Sequence, residues 1–239
     1  MKAFLLAAGL GSRLRPLTDH TPKCMIPIGG RPLLDIWLDA LAKAGVDEVL
    51  VNLHHLAGVV RAHLADRTGR PAVRLVEEPR LLGSAGTLLA NREFVAGEEM
   101  FLAVYADNLT DFDLGVLVDA HRRGGAIATL TLFRAPRPSE CGIVDVKDGR
   151  VVGFVEKPAQ PRGDLANAGM YAFHPGVLDL IDGPPDAPLD GPLDIGFHLL
   201  PRLVGKARAV TLDGCYLMDI GTPAALRRAR DEWQGGPAS

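Results

Sequence analysis

The sequence predicts an α/β fold with a mixed, mostly parallel central sheet, helices on both of its faces, and a strand-rich second half. Three observations lead there. Up to about residue 125, apolar runs of strand length alternate with amphipathic stretches of helix length, the order of a parallel sheet joined by crossover helices. From residue 126 on, apolar residues alternate with threonines, and Asp148-Gly149 separates two strand-like runs as in a hairpin. The chain has 239 residues, enough for one large domain with a real core.

Taken in order, residues 3–7 read as a buried first strand. This apolar run is too short for a secretory leader and flows directly into Gly9, Gly11 and Arg13. Pro32 opens a helix where a missing N–H costs little. Leu34, Trp37, Leu38 and Leu41 follow at helical spacing, and Gly45 stops it. Residues 48–53 read as a strand, 56–65 as a helix, 73–76 as a strand and 85–94 as a helix. Residues 101–105 then read as a strand and 114–123 as a helix. In the second half, residues 126–133, 143–146, 150–155 and 168–173 read as strands. Residues 182–192 contain four prolines and read as an exposed loop. Residues 195–204 and 224–233 read as helices, and 234–239 as a frayed tail. No repeat or linker interrupts the chain, so residues 1–239 read as a single domain.

Composition excludes several classes. A hydrophobic fraction of 47% with 23% charged residues is that of an ordinary soluble globular protein. A net charge of -3 leaves no basic face for general nucleic-acid binding, and no stretch is long enough to span a membrane. Cys24, Cys141 and Cys215 are far apart, with no CxxC pair, which argues against structural zinc and for reduced thiols in a cytoplasmic protein. His54 and His55 are adjacent, so on a strand they point to opposite faces and make poor joint metal ligands.

The most informative segment is Leu6-Ala7-Ala8-Gly9-Leu10-Gly11-Ser12-Arg13-Leu14-Arg15-Pro16-Leu17. It follows the first strand, at the carboxyl edge where open α/β sheets bind ligands. Gly9 and Gly11 let the backbone approach a phosphate closely, and Arg13 adds a planar charged fork. A dinucleotide fingerprint wants a third small residue where Leu14 stands, and an acidic residue after the second strand, which here gives Val51-Asn52-Leu53. A P-loop needs Lys-Ser or Lys-Thr after its second glycine, and neither is present. The glycines alone fit a tight turn as well as a phosphate site. Arg13 and the next motif, Thr21-Pro22-Lys23-Cys24-Met25-Ile26-Pro27, tip the balance, because two prolines stiffen the backbone around Lys23.

With these two motifs the chain resembles the sugar-1-phosphate nucleotidylyltransferase family, whose pattern is small-Ala-Gly-x-Gly-Ser-Arg-Leu-x-Pro-Leu-Thr followed by Pro-Lys. The resemblance runs from residue 1 to about 233. It implies a Rossmann-like nucleotidyltransferase fold, magnesium, and direct displacement of pyrophosphate from a nucleoside triphosphate by a sugar 1-phosphate. It also implies a nucleotide-binding half over about 1–125 and a sugar-binding half over about 126–233. By the same resemblance Leu6, Ala7, Ala8, Gly9, Gly11, Ser12 and Arg13 wrap the nucleotide. Arg13 holds the leaving pyrophosphate and Lys23 contacts phosphate. Cys24 departs from the family's common proline.

Asp107 follows the strand at 101–105, and Asp219 lies in Met218-Asp219-Ile220-Gly221-Thr222-Pro223. A carboxylate at a strand's carboxyl end suits a hard cation, though each aspartate also fits a turn or a helix cap. Both match the family's magnesium-binding aspartates. Asp111 and Asp113 read as turn and helix-start residues. No Ser/His/Asp or Cys/His constellation stands out, as expected where the substrate supplies the nucleophile.

Leu82-Gly83-Ser84-Ala85-Gly86-Thr87 resembles the Leu-Gly-Thr-Ala-Gly loop of mannose-1-phosphate guanylyltransferases. It also reads as a helix start with Ser84 as cap. Gly83 and Gly86 would let a base lie against backbone, and Glu78 would accept hydrogen bonds from a guanine edge, which tilts the base toward GTP. Three further segments resemble the family's sugar site: Cys141-Gly142-Ile143-Val144, with cysteine for the usual tyrosine, Glu156-Lys157-Pro158, and Asn167-Ala168-Gly169. They imply Gly142, Glu156 and Asn167 around the sugar, and Lys157 on its phosphate. The substrates expected are thus a nucleoside triphosphate and a manno-type hexose or heptose 1-phosphate. Thymidylyl or uridylyl transfer, or a silent sugar-nucleotide sensor of the same fold, are the alternatives. The chain ends soon after its last helix, so no added acyltransferase or β-helix domain is expected. Apolar positions on helix 33–44 serve a core or a homo-oligomer interface equally.

Overall fold

The computed structural model describes residues 1–181 and 191–233. The expected frayed tail, and the proline-rich loop up to residue 190, lie outside the described residues. In chain order the elements are β1 (Lys2–Leu6), β2 (Pro27–Ile28), β3 (Arg31–Pro32), α1 (Leu33–Lys43), β4 (Glu48–Leu53), α2 (Ala57–Leu64) and β5 (Ala72–Glu77). Then come α3 (Ser84–Ala90), β6 (Phe101–Tyr105), β7 (Asn108–Thr110), α4 (Leu114–Gly124), β8 (Ala128–Arg134), β9 (Gly142–Lys147) and β10 (Arg150–Glu156). The rest are β11 (Leu165–Phe173), α5 (Ile195–His198), β12 (Ala207–Thr211), β13 (Leu217–Asp219) and α6 (Pro223–Glu232). These form two compact units whose segments alternate along the chain. One comprises Lys2–Leu81, Val104–Leu114 and the chain from Gly214 on; the other comprises Leu82–Ala103 and Gly115–Asp213.

In the first unit the strands β5, β4 and β1 lie side by side in that order. β1 is parallel to β4, and β4 to β5. β1 and β4 are largely apolar toward both faces, as their sequence predicts: Ala3, Phe4 and Leu5 are fully buried, as are Val49 and Val51. α1 buries Leu33, Leu34, Trp37, Leu38 and Leu41 within the chain, worth about 2 kcal/mol per large apolar side chain. Pro32 is its cap rather than its first residue. The helix ends as predicted at Gly45, where the N–H of Val46 returns to the carbonyl of Leu41 at 3.0 Å and that of Gly45 to Ala42 at 3.0 Å. A short antiparallel pair, β7 with β13, sets Asp219 opposite Asn108.

In the second unit the order is β11-β8-β12-β10-β9. β8 and β12 are parallel, whereas β11 with β8, β10 with β12 and β9 with β10 are antiparallel. The sheet is therefore mixed. The predicted hairpin joins β9 to β10 through Asp148 and Gly149, both left-handed, at φ 52 and 71. The continuous helix expected over 195–204 is broken into α5 and a 3-10 turn at Leu200–Leu203. Pro201 has no N–H to give and its ring crowds the preceding turn. The helix expected over 85–94 likewise ends at Ala90, and Arg92–Val95 form a 3-10 turn.

Candidate active site

The glycine-rich segment leaves β1 and curls into a 3-10 turn at Ser12–Leu14. Leu6 and Ala8 are buried, and Gly9, Ser12 and Arg13 are exposed. The segment is fastened at two points. The N–H of Ala7 donates to Asn52 Oδ1 at 2.7 Å. Farther on, Thr18 Oγ1 donates to the Gly11 carbonyl at 2.8 Å. Gly11 is left-handed at φ 63, and a Cβ there would stand 2.8 Å from Thr18 Cγ2. Both conditions require glycine. Gly9 is different: a Cβ there would meet no protein atom within 4 Å.

Pro22 precedes a 3-10 turn at Lys23–Met25 that turns Lys23 inward. Only 8% of Lys23 is exposed, and a cation so buried needs anionic partners. It finds two: Nζ lies 2.6 Å from Asp107 Oδ2 and 3.1 Å from Asp219 Oδ1. The β7–β13 pairing holds both aspartates. The N–H of Ile220 donates to the Asp107 carbonyl at 3.1 Å, and that of Gly221 to Asp219 Oδ1 at 2.7 Å. Arg13 Nη2 is 3.8 Å from Asp219 Oδ2 and two-thirds exposed. A Cβ on Gly221 would fall within 3 Å of Arg13, Lys23 and Asp219 side-chain atoms, so Gly221 makes the room in which these charges meet. Residues 196 positions apart thus form one cluster of two cations and two anions. Cys24, beside it in sequence, is buried, and burial pushes its thiol up to about 12, leaving it unreactive.

Asp107 and Asp219 are the oxygen donors that a hard divalent cation would take here. No group of three or more His, Cys, Asp or Glu side chains converges among the described residues. Asp111 accepts the N–H of Tyr216 at 2.7 Å. Asp113 pairs with Lys43 at 3.5 Å.

Glu78 is placed otherwise than expected. It is 2% exposed, and its Oε1 accepts from Asn52 Nδ2 at 2.9 Å. A carboxylate turned into the interior does not present itself to a guanine edge.

In the second unit, Gly83 lies at φ 78, and a Cβ there would stand 2.3 Å from the Leu193 carbonyl oxygen. That carbonyl accepts the N–H groups of Ala85 and Gly86 at 2.9 and 3.2 Å. Ser84 is the first residue of α3 rather than its cap. Its hydroxyl donates to Asp194 Oδ2 at 3.0 Å and accepts the N–H of Ile195 at 2.8 Å.

The sugar-site candidates Gly142 and Glu156 do come together. Glu156 faces Gly142 across the β9–β10 ladder, and a Cβ on either Gly142 or Gly196 would stand 2.6 Å from Glu156 Oε2. Burial raises the Glu156 pKa, Lys157 opposes the rise, and Asp194 adds to it. Lys157 is exposed and left-handed at φ 45, a conformation that costs a lysine about 1 kcal/mol or more. Its N–H donates to the Cys141 carbonyl at 3.1 Å. Cys141 packs on Ala135, Ile143 and Ala166. Asn167 sits where β11 slips register against β8; its Nδ2 donates to the Tyr171 hydroxyl at 2.6 Å. Asp194 and Gly196 were not foreseen, because they lie some forty residues beyond Glu156, just before and at the start of a segment that reads as plain helix. Their signal was Pro192 followed by Asp194, a cap before Ile195.

A sequence profile of the nucleotidyl transferase family matches residues 2–234. The chain belongs to this family. Among its relatives is a UTP–glucose-1-phosphate uridylyltransferase of Synechocystis, 35% identical over 98% of the chain and 62% of the relative. A Xenopus laevis mannose-1-phosphate guanyltransferase beta-B is 32% identical over 93% of the chain and 62% of the relative. A Sulfolobus acidocaldarius protein assigned as a mannose-1-phosphate guanyltransferase is 33% identical over 95% and 62%. The chain therefore spans about three fifths of the length of these relatives. A crystal structure from Bacillus anthracis, assigned as a glucose-1-phosphate thymidylyltransferase, superposes with a TM-score of 0.87 at 22% identity, covering 99% of this chain and 97% of that one. The nucleotidyl transferase fold expected from the sequence is thus the one adopted. Among the described residues, no helix is long and apolar enough to cross a membrane.

Proposed function

We propose that this nucleotidyl transferase joins a nucleoside triphosphate to a sugar 1-phosphate and releases pyrophosphate. The observation that carries the reading is the meeting of Arg13, Lys23, Asp107 and Asp219 beside the glycine-rich loop of a chain that matches the family nearly end to end. A phosphate oxygen of the sugar 1-phosphate attacks the α-phosphorus. A new P–O bond forms, the bond to the bridging oxygen breaks, and its electron pair leaves with pyrophosphate. Two anions must approach, so cations are needed where they meet. Arg13, exposed at the mouth of the loop, takes the departing pyrophosphate. Lys23, fixed and buried, contacts phosphate. Lys157 neutralises the attacking phosphate, and Glu156 and Asn167 orient sugar hydroxyls as hydrogen-bond partners. A bound magnesium, held by Asp107 and Asp219, would supply further charge compensation to the phosphates.

Guanylyl transfer to a manno-type hexose or heptose 1-phosphate is the preferred pairing. The Leu82–Gly86 resemblance and the guanyltransferase relatives support it. The Synechocystis relative supports uridylyl transfer as a second reading. In this reading residues 1–125 serve the nucleotide and 126–233 the sugar within one domain, and the enzyme works in the cytoplasm. Incubation with magnesium, each nucleoside triphosphate in turn and a panel of sugar 1-phosphates is expected to release pyrophosphate with one preferred pair. No release with any pair overturns the reading. Asp107→Ala and Asp219→Ala are each expected to lower turnover about 100-fold at limiting magnesium; wild-type rates in both would remove these residues from the mechanism.

A further inference from the structure

The strand β4 is apolar on both faces except at one interior position. Asn52 is 4% exposed, opposite Leu6 of β1 and Val76 of β5. A buried amide left unpaired costs about 1–3 kcal/mol, so its partners explain its presence. Oδ1 accepts the N–H of Ala7 at 2.7 Å, and Nδ2 donates to Glu78 Oε1 at 2.9 Å. Ala7 is the first residue past β1. The Asn52 side chain therefore extends the β1–β4 ladder by one rung, with an amide oxygen in place of a backbone carbonyl.

Glu78 decides which way that amide points. Its Oε1 accepts from Nδ2, which leaves Oδ1 for Ala7. The reversed amide would set NH2 against N–H, donor against donor. Glu78 is itself fixed: its N–H donates to the Leu53 carbonyl at 2.8 Å, and its own carbonyl lies 2.7 Å from His54 Nδ1.

We propose that Asn52 and Glu78 are positioning residues for the nucleotide loop, a buried amide–carboxylate pair that fixes where the glycine-rich segment leaves the sheet. The proposal rests on the loop's proposed part in binding the nucleoside triphosphate. With the Ala7 N–H committed to the interior, phosphate contacts fall to the loop beyond it, whose starting direction is preset.

The test is a charge-and-polarity swap. Asn52→Asp sets two carboxylates face to face. Glu78→Gln removes the group that orients the amide. In the double variant N52D/E78Q, the new amide donates and the new carboxylate accepts from both sides, so the original polarity returns. Each single variant is expected to raise the KM for the nucleoside triphosphate about 10-fold, with the KM for the sugar 1-phosphate unchanged, and the double variant to recover most of it. Exchange of the Ala7 amide hydrogen, read by NMR without substrate, is expected to speed up about 10-fold in the near-isosteric E78Q and to return in the double variant. Exchange at the central β1 amides should stay as in the wild type. Unchanged Ala7 exchange in both single variants overturns the hydrogen-bond chain. Altered Ala7 exchange with an unchanged nucleotide KM, or a matching rise in both KM values, overturns the positioning role. No pyrophosphate release by the wild type would instead overturn the transferase reading, and the exchange experiment separates the two.

Discussion

The two glycine-rich loops look alike in sequence and use glycine in opposite ways. Around Gly9 and Gly11 the chain is fastened at Ala7 by Asn52 and at Gly11 by Thr18, while nothing in the protein stands where a Gly9 side chain would go. Around Gly83 and Gly86 the space is already taken. The Leu193 backbone lies against Gly83, and its carbonyl accepts the N–H groups of Ala85 and Gly86. The first loop keeps bare backbone for something else; the second uses small residues to pack chain on chain. A glycine motif therefore points to a ligand only after the protein's own need for glycine has been accounted for.

The largest expected effect breaks or confirms this contrast directly. Gly83→Ala forces a left-handed side chain into a carbonyl, at roughly 3 kcal/mol or more. That corresponds to a Tm lower by about 10 °C in a domain of this size. Gly9→Ala should leave Tm within about 1 °C and raise the KM of the nucleoside triphosphate about 10-fold. Thermal unfolding and initial rates on the same two variants check both. A stable G83A, or a G9A that melts early with normal nucleotide binding, would erase the distinction.

The same accounting shows what was legible in the sequence. β1, β4 and β6 are apolar runs buried on both faces, so their pattern and their structure coincide nearly residue for residue. Arg13, Lys23, Asp107 and Asp219 were legible because family motifs mark them, though no local pattern could say that one lysine would lie between the two aspartates. That meeting depends on the short β7–β13 pair, two three-residue strands too brief to leave a period. Glu78 was misplaced because an acidic residue before a small-residue loop looks the same whether it faces a ligand or the interior. Asn52 carried the missing signal: one polar side chain inside an otherwise apolar strand implies a buried partner. The helix over 195–204 failed on a rule already available, since Pro201 cannot continue it.

A smaller effect concerns the second fastening of the first loop. Thr18 is 1% exposed, and Thr18→Val keeps its shape while deleting the hydroxyl that holds the Gly11 carbonyl. That carbonyl still accepts the N–H of Leu14 at 2.9 Å, so the loss is about 1 kcal/mol, or about 3 °C in Tm. The KM of the nucleoside triphosphate is expected to rise about 3-fold, less than in G9A. A larger rise than in G9A would mean that the Gly11 anchor, rather than the bare backbone at Gly9, governs binding.

The smallest effect extends the contrast to Gly142 and Gly196, where the room left by two glycines is filled by Glu156. Burial raises the pKa of that carboxylate, against Lys157 and with Asp194. The folded chain thus holds the proton more tightly than the unfolded one. The stability this contributes is fully present below the unfolded value and is lost as pH rises through the folded value. Glu156→Gln mimics the protonated form at every pH. It should melt higher than the wild type at pH 7–8, and the gap should close as pH falls through the raised pKa. In the proposed function the same change removes a charged acceptor from the sugar hydroxyls, so the KM of the sugar 1-phosphate should rise at pH 8 while that of the nucleoside triphosphate stays put. A wild type that melts above E156Q at pH 8 would show that Lys157 outweighs burial, and that this glycine-made space was shaped for a charge rather than in spite of one.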